Sequence, residues 1–263
     1  MKPNNTRYNL MELMVCVAAR QLEDGKTAVI GTGMPLSAAM LAQKTAAPGL
    51  VILFEAGGVA PILQRLPISV ADSNTQTGGL LHTSMDIIFE ACQRGTVDYT
   101  FLGGAQIDMY GNINSSMIGT DYDHPKVRLP GSGGANDLAS LCWKTLIITP
   151  HDKRRFIKKL DFLTSPGYLT GPGARERAGL PAGGGPYKVI STLALMGYDP
   201  ETKRMRVESL HPGVTKEVVI ENTGFEMLFV DSLSETPEPT DHELKILREE
   251  VDPLGLVIGK SGQ

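Results

Sequence analysis

Short apolar runs rich in β-branched residues recur along roughly the first 150 residues, and each closes on glycine or on another turn former. Thr27-Ala28-Val29-Ile30 runs into Gly31-Thr32-Gly33. Val51 to Phe54 runs into Glu55-Ala56-Gly57-Gly58, and Tyr99 to Leu102 into Gly103-Gly104. Leu146-Ile147-Ile148-Thr149 is the last of the series. Runs of this length suit strands buried on both faces. Segments of helical periodicity lie between them. Leu10, Leu13, Met14, Val17 and Ala18 predict an amphipathic helix from about Asn9 to Leu22, ended by Asp24-Gly25. A second helix begins at Pro35, where proline suits a first turn, and a third covers Asp86 to Gln93. Strand and helix in alternation predict an α/β fold with a largely parallel open sheet and flanking helices.

The second half changes character. Thr164 to Pro186 is rich in glycine and proline and reads as a long ordered loop, of the kind that serves function or an interface. Ala194 to Tyr198 and Arg204 to Ser209 flank Asp199-Pro200-Glu201-Thr202-Lys203, a hairpin signal. Pro237 and Pro239 lead into a last helix. Thr240-Asp241-His242-Glu243 is its capping box, with Leu244, Leu247 and Val251 behind it. The whole chain, 1–263, reads as one domain, with a C-terminal helix and tail from about 238 to 263. No internal repeat or low-complexity tract interrupts it.

Composition removes several functions. A net charge of -4 argues against a nucleic-acid surface. The basic run Lys153-Arg154-Arg155-Phe156-Ile157-Lys158-Lys159 reads as a solvated face or a partner contact. No stretch approaches the ~20 apolar residues of a membrane span. Met1 to Tyr8 lacks the apolar core of a signal peptide, so cytoplasmic residence is expected. Cys16, Cys92 and Cys142 are widely spaced among apolar neighbours, which predicts buried thiols rather than disulfides or a zinc site. The five histidines share no metal-ligand spacing, and no metal is expected. Asp121-Tyr122-Asp123-His124 could cradle a cation, but a turn before Pro125 explains it better. Gly31-Thr32-Gly33-Met34-Pro35-Leu36 lacks the third glycine of a dinucleotide fingerprint. Gly259-Lys260-Ser261 lacks the earlier glycine of a P-loop. Gly131-Ser132-Gly133 lacks the spacing of a serine-hydrolase elbow.

Three loops remain as candidates. Glu55 stands at the carboxyl end of a predicted strand, where open α/β sheets bind their ligands. A carboxylate there can be base, metal ligand or nucleophile, and the small residues after it, Gly57 among them, would let a substrate approach. Leu129-Pro130-Gly131-Ser132-Gly133-Gly134-Ala135-Asn136 presents backbone amides with little side chain around them. The amides of Gly131, Gly133, Gly134 and Ala135 can converge on an anionic oxygen, or the segment can be a plain tight turn. Gly103 to Asn114 is dense in amide side chains. Gln106 and Asn112 could orient carboxylates and carbonyls, or stabilise turns. A strand-end carboxylate with amide donors suits acyl transfer from a thioester.

Taken together, these segments resemble the β subunits of class I CoA-transferases. The resemblance is carried by Gly31 to Leu36, Phe54-Glu55-Ala56-Gly57, Gly103 to Asn114, His124-Pro125-Lys126-Val127-Arg128, Gly131 to Asn136, His151-Asp152-Lys153-Arg154-Arg155-Phe156 and Leu163-Thr164-Ser165-Pro166-Gly167-Tyr168. It extends through Glu221-Asn222-Thr223-Gly224-Phe225 and Leu247-Arg248-Glu249-Glu250-Val251-Asp252-Pro253 to cover nearly the whole chain. It implies a CoA-transferase (NagB/RpiA-like) fold with a C-terminal hairpin and helix. It implies a glutamate nucleophile, matched by Glu55, that forms a mixed anhydride and then a glutamyl-CoA thioester. It also implies an α subunit as partner in an α2β2 or larger assembly. The implied substrates are acyl-CoA and small carboxylic acids, with a dicarboxylate such as glutaconate in the lead. No metal or organic cofactor is implied, coenzyme A being a substrate. Decarboxylation or carbon-carbon hydrolysis of acyl-CoA on the same scaffold, with Glu55 as base, is the alternative chemistry. A non-enzymatic interaction subunit is the other.

Overall fold

The computed structural model describes residues 7–259. Met1 to Thr6 of the leader reading, and Lys260 and Ser261 of the P-loop look-alike, lie outside them. The described chain forms two compact units. One takes the residues up to Phe101 together with those from Pro237 onward, and the other runs Leu102–Thr236.

The first unit opens with α1 (Leu10–Ala19), followed by β1 (Thr27–Val29), α2 (Met34–Lys44) and β2 (Val51–Leu53). Two short strands, β3 (Gly58–Val59) and β4 (Leu81–His82), precede α3 (Met85–Gln93) and β5 (Tyr99–Leu102). The strand order is β5-β1-β2-β3-β4. The strands β5, β1 and β2 are parallel, with Val29 opposite both Leu53 and Thr100. Strands β3 and β4 close the edge antiparallel. The three runs predicted as buried strands are thus the parallel part of this unit, and their inward residues Ala28, Ile52, Phe54 and Tyr99 are fully buried. All three cysteines carry buried thiols, with no disulfide.

The helix predicted as amphipathic forms as α1, but Leu13 to Ala19 are buried on every side. Its charges explain how. Glu12 is 1% exposed, closes a capping box with Asn9, and pairs with the Arg248 Nε at 2.5 Å. A buried carboxylate is tolerated when it is both paired and hydrogen-bonded.

The second unit carries two small ribbons before its main strands. They are β6 (Gln106–Ile107) with β7 (Ile113–Asn114), and β8 (Met117–Ile118) with β9 (Val127–Arg128). Then follow α4 (Ala135–Leu141), β10 (Lys144–Thr149), α5 (Ala174–Arg177), β11 (Gly185–Ser191), β12 (Ala194–Tyr198), β13 (Met205–Leu210), α6 (Lys216–Glu221) and β14 (Leu228–Glu235). The order is β14-β13-β12-β11-β10. Strands β10 and β11 are parallel, and β12 and β13 form the antiparallel hairpin predicted across Asp199 to Lys203. The Asp199 side chain accepts the amides of Glu201 and Thr202 and so fixes that turn. The core gathers Ile107, Ile147, Phe156, Val189, Met196, Met205, Val207 and Val219.

The long glycine- and proline-rich loop is ordered from within this unit. Arg175 is 1% exposed and donates to the carbonyls of Pro166, Gly167, Ala139 and Ser140 at 2.9–3.3 Å. Burial lowers its pKa, yet a guanidinium stays charged. The loop therefore needs no outside surface to order it.

The chain then returns to the first unit as α7 (Asp241–Ile246), which continues into a π-helical turn at Leu247–Val251. The expected capping box is present between Thr240 and Glu243. Glu243 also pairs with Arg20 of the first helix's C-cap at 2.6 Å. Among the described residues, no helix is long and apolar enough to cross a membrane.

Candidate active site

Glu55 sits at the tip of the β2–β3 hairpin. The Phe54 carbonyl accepts the Gly57 amide at 2.9 Å, and the Phe54 amide donates to the Gly58 carbonyl at 2.8 Å. This leaves Glu55-Ala56-Gly57 as a three-residue loop with Gly57 at φ 111°. Such loops take glycine at the left-handed position because a side chain is strained there. The expectation that Gly57 makes room for substrate gives way to a different fact. A Cβ on Gly57 would lie 1.9 Å from the Thr83 carbonyl oxygen, and one on Gly58 would lie 1.9 Å from that of Thr75. The protein's own backbone fills both spaces. The Thr83 amide also donates to the Gly57 carbonyl at 3.0 Å. The glycines thus clamp the loop that carries the carboxylate.

The Glu55 side chain is half-buried, and among the described residues it makes no hydrogen bond or ion pair. A capping or ion-pairing role is therefore absent. Strand β1, parallel and in register beside β2, ends at the same height in Gly31-Thr32-Gly33. Gly33 has φ 79° and caps α2. A Cβ on Gly31 or Gly33 would meet nothing within 4 Å, so this loop faces open space. An unpaired carboxylate next to bare backbone at the carboxyl ends of parallel strands is a place where a ligand can reach a nucleophile.

In the second unit, the four candidate amides separate into two pairs. The Gly131 amide donates to the Ser115 carbonyl at 2.9 Å and the Ala135 amide to the Ser132 carbonyl at 2.9 Å. Both are engaged by the protein. The amides of Gly133 and Gly134 have no partner among the described residues. Gly133 is exposed, has φ 48°, and a Cβ added to it would meet nothing within 4 Å. The loop is tied down at both sides. The Ser115 hydroxyl donates to the Gly131 carbonyl, and the Asn136 amide to the Thr164 carbonyl at 2.7 Å. These two free amides, on the exposed Gly133 and the buried Gly134, are candidate donors on a fixed loop.

Gln106 and Asn112 serve the protein itself. Asn112 is 5% exposed and uses its full capacity. Its oxygen accepts the amides of Gly167 and Leu169, and its nitrogen donates to Asp108 and to the Leu169 carbonyl. Burial raises the Asp108 pKa against these bonds. The Gln106 oxygen accepts from Asn114 and the Asp161 amide, and its nitrogen donates to Asp161. Both residues are held as loop staples. The Asp121 oxygen accepts the amides of Asp123 and His124, which hold its carboxyl below the usual range, so this segment is the turn it resembled.

Sequence reasoning missed two features. One is a cleft of about 630 Å³ on the Gly131–Ser132 loop, with Tyr122, Arg128 and Phe162 in its wall. Nothing in the sequence paired Tyr122 with Phe162. The other is a buried chain of hydroxyls and imidazoles. His151 bonds to Ser191 and Thr223, and His211 to Thr236 and to the Ser191 carbonyl, at 2.8–3.0 Å. Burial pushes both imidazoles down to about 4.

The coenzyme A transferase family matches residues 12–222. The B subunit of the 3-oxoadipate CoA-transferase of Pseudomonas knackmussii is 41% identical over 242 residues, 92% of either chain. The B subunit of the glutaconate CoA-transferase of Acidaminococcus fermentans is 40% identical over 253 residues, 94% of either chain. The crystal structure of glutaconate coenzyme A-transferase from that organism superposes with a TM-score of 0.90 at 37% identity, covering 97% of this chain and 99% of that one. A cholesterol ring-cleaving hydrolase subunit of Rhodococcus jostii is more distant, 28% identical over 227 residues, 85% of this chain and 83% of its own. The fold and the matched sequence make the chain a member of the coenzyme A transferase family.

Proposed function

We propose that this chain is the β subunit of a CoA-transferase that moves CoA between acyl-CoA and a small carboxylic acid, with Glu55 as the covalent catalyst. The unpaired Glu55 carboxylate, clamped at the carboxyl end of β2, carries the reading. A carboxylate oxygen of Glu55 attacks the thioester carbonyl, and the C–S bond breaks to release CoA thiolate and leave a mixed anhydride. The thiolate then attacks the Glu55 carbonyl, expels the donor acid as its carboxylate, and leaves a glutamyl-CoA thioester. The acceptor carboxylate reverses these steps and leaves as the new acyl-CoA, which regenerates Glu55. We assign the free Gly133 and Gly134 amides, on their own loop, as donors to a substrate carbonyl oxygen. The thioester is already activated, so no metal or organic cofactor enters the scheme.

The subunit naming of the two relatives supports an α subunit as partner. An even assembly, α2β2 or larger, follows the closed symmetry most oligomers adopt. Both relatives are named for dicarboxylic acids, which supports a dicarboxylate such as glutaconate as substrate. The test is to give the complete enzyme acyl-CoA without acceptor acid, reduce with borohydride and map peptides by mass spectrometry. A modification on Glu55, lost in Glu55→Ala together with turnover, is expected. Full transfer by Glu55→Ala would sink the proposal.

A further inference from the structure

The cleft beside Gly131 and Ser132 has a simple charge pattern. Arg128 is the one cation among its lining residues, and no carboxylate lines it. The walls are otherwise apolar or hydroxyl- and amide-bearing, with Leu129, Leu163 and Asn136 as examples. The Arg128 guanidinium is held in place before any ligand arrives. It lies 4.7 Å over the Tyr122 ring and donates through Nη2 to the Tyr122 carbonyl at 2.6 Å. Tyr122 is buttressed in turn by Phe162, with ring centroids 5.7 Å apart. Strand pairing of β9 with β8 fixes the backbone, Arg128 standing opposite Met117. A guanidinium has five N–H donors. One bond to Tyr122 leaves the others available, and among the described residues no acid pairs with Arg128.

A stacked, pre-oriented guanidinium with spare donors is suited to bidentate binding of a carboxylate. At Gly131, Ser132 and Asn136 the cleft also meets the loop that carries the free Gly133 and Gly134 amides. A short acyl chain entering from that loop would pass Leu129 and Leu163 in a lining that otherwise carries many polar groups. A second carboxylate at its far end would then need a cation. The phosphates of CoA are a poorer match, since several negative charges would meet a single cation. We infer that Arg128 binds the remote carboxylate of a dicarboxylic acyl group and so sets the substrate class of this enzyme. The inference rests on the transferase reading and on its assignment of the loop amides.

The test uses the complete two-subunit enzyme with acetate as acceptor and two donors of equal chain length, glutaryl-CoA and pentanoyl-CoA. For Arg128→Gln, kcat/KM for glutaryl-CoA should fall about 10- to 100-fold more than that for pentanoyl-CoA, the range of a hydrogen-bonded charge contact. Arg128→Lys should restore part of the ratio, because it keeps the charge and loses the fork. The ratio is taken on one preparation, so a partly misfolded variant does not alter it. Equal losses with both donors would overturn the inference and place Arg128 against CoA or in the fold. Wild-type rates with both donors, with the Glu55 adduct still trapped in the wild type, would overturn the role of Arg128 alone. Absence of that adduct in the wild type would overturn the transferase reading first, and this assignment with it.

Discussion

Alanine at position 57 is a severe test of how Glu55 is held. The new Cβ would start 1.9 Å from the Thr83 carbonyl oxygen, where real contacts stay beyond 3.0 Å, so the two must separate by 3.0 − 1.9 = 1.1 Å. Two responses are open. If the Thr83 segment yields, its amide loses the 3.0 Å bond to the Gly57 carbonyl, worth about 1 kcal/mol net. If the loop yields, Glu55 moves by about the same distance, and a misplacement near 1 Å costs on the order of 10²-fold in rate. Either way, a side chain at φ 111° adds about 1–3 kcal/mol of backbone strain. Strain and lost bond together come to about 2–4 kcal/mol, or a fall of about 4–16 °C in melting temperature for a chain of this size. Gly184→Ala, away from this loop, is the control, since its Cβ meets only ordinary contacts at 3.5 Å or more and its φ is not left-handed. Scanning calorimetry and adduct mass spectrometry on the complete enzyme would decide. Gly57→Ala with wild-type melting and a wild-type yield of Glu55 adduct would refute the clamp.

Two further outcomes are expected. Gly133→Val should lower turnover by about 10²–10³, the typical loss for one oxyanion donor, and should cost about 1–3 kcal/mol of stability, because a side chain at φ 48° is strained even though the position is open; a rate loss no larger than that stability loss accounts for would favour the plain turn. Stability should decline in acid, as measured by urea denaturation between pH 7 and 4. His151 and His211 are buried with pKa values of about 4 against an ordinary 6.5. Their neutral forms contribute fully above pH 6.5, and that stability is lost as pH falls toward 4, because the unfolded chain then binds protons the native imidazoles refuse. The ceiling is about 3 kcal/mol each, from 6.5 − 4 units at 1.36 kcal/mol. A flat profile, or one unchanged in His151→Gln, would sink this account.

The parts of the fold legible in the sequence are those decided locally. Val51 to Phe54 and Tyr99 to Leu102 read as strands because unbroken apolar runs meet glycine, and both lie in the parallel part of the first unit. The Asp199 turn and the Thr240 capping box read correctly because a side chain bonds backbone two or three residues away. What stayed hidden depends on partners far along the chain. The first helix read as amphipathic from the spacing of Leu10, Leu13, Met14, Val17 and Ala18, but the partners that take up its charges Glu12 and Arg20, namely Arg248 and Glu243, lie more than 220 residues on. Strand β14 was missed because its Leu228-to-Glu235 sequence is neither a clean alternation nor an apolar run, and most of it is partly exposed beside β13.

The candidate site divides along the same line. A glutamate before glycines is a local pattern, and its type and place were legible. Whether those glycines admit a substrate or the protein's own backbone was not, since the answer depends on Thr83 and Thr75. The same holds for the amides. Gln106 and Asn112 advertise donors and acceptors, but Asp161, Gly167 and Leu169 claim them. Gly131 and Ala135 have amides like those of Gly133 and Gly134, and only the Ser115 and Ser132 carbonyls tell them apart. A polar group is available for chemistry when the fold has left it unbonded, and sequence reports the group without its partner. Glu55 and the amides of Gly133 and Gly134 satisfy that condition, which makes them the positions where substitution should act on reaction before it acts on folding.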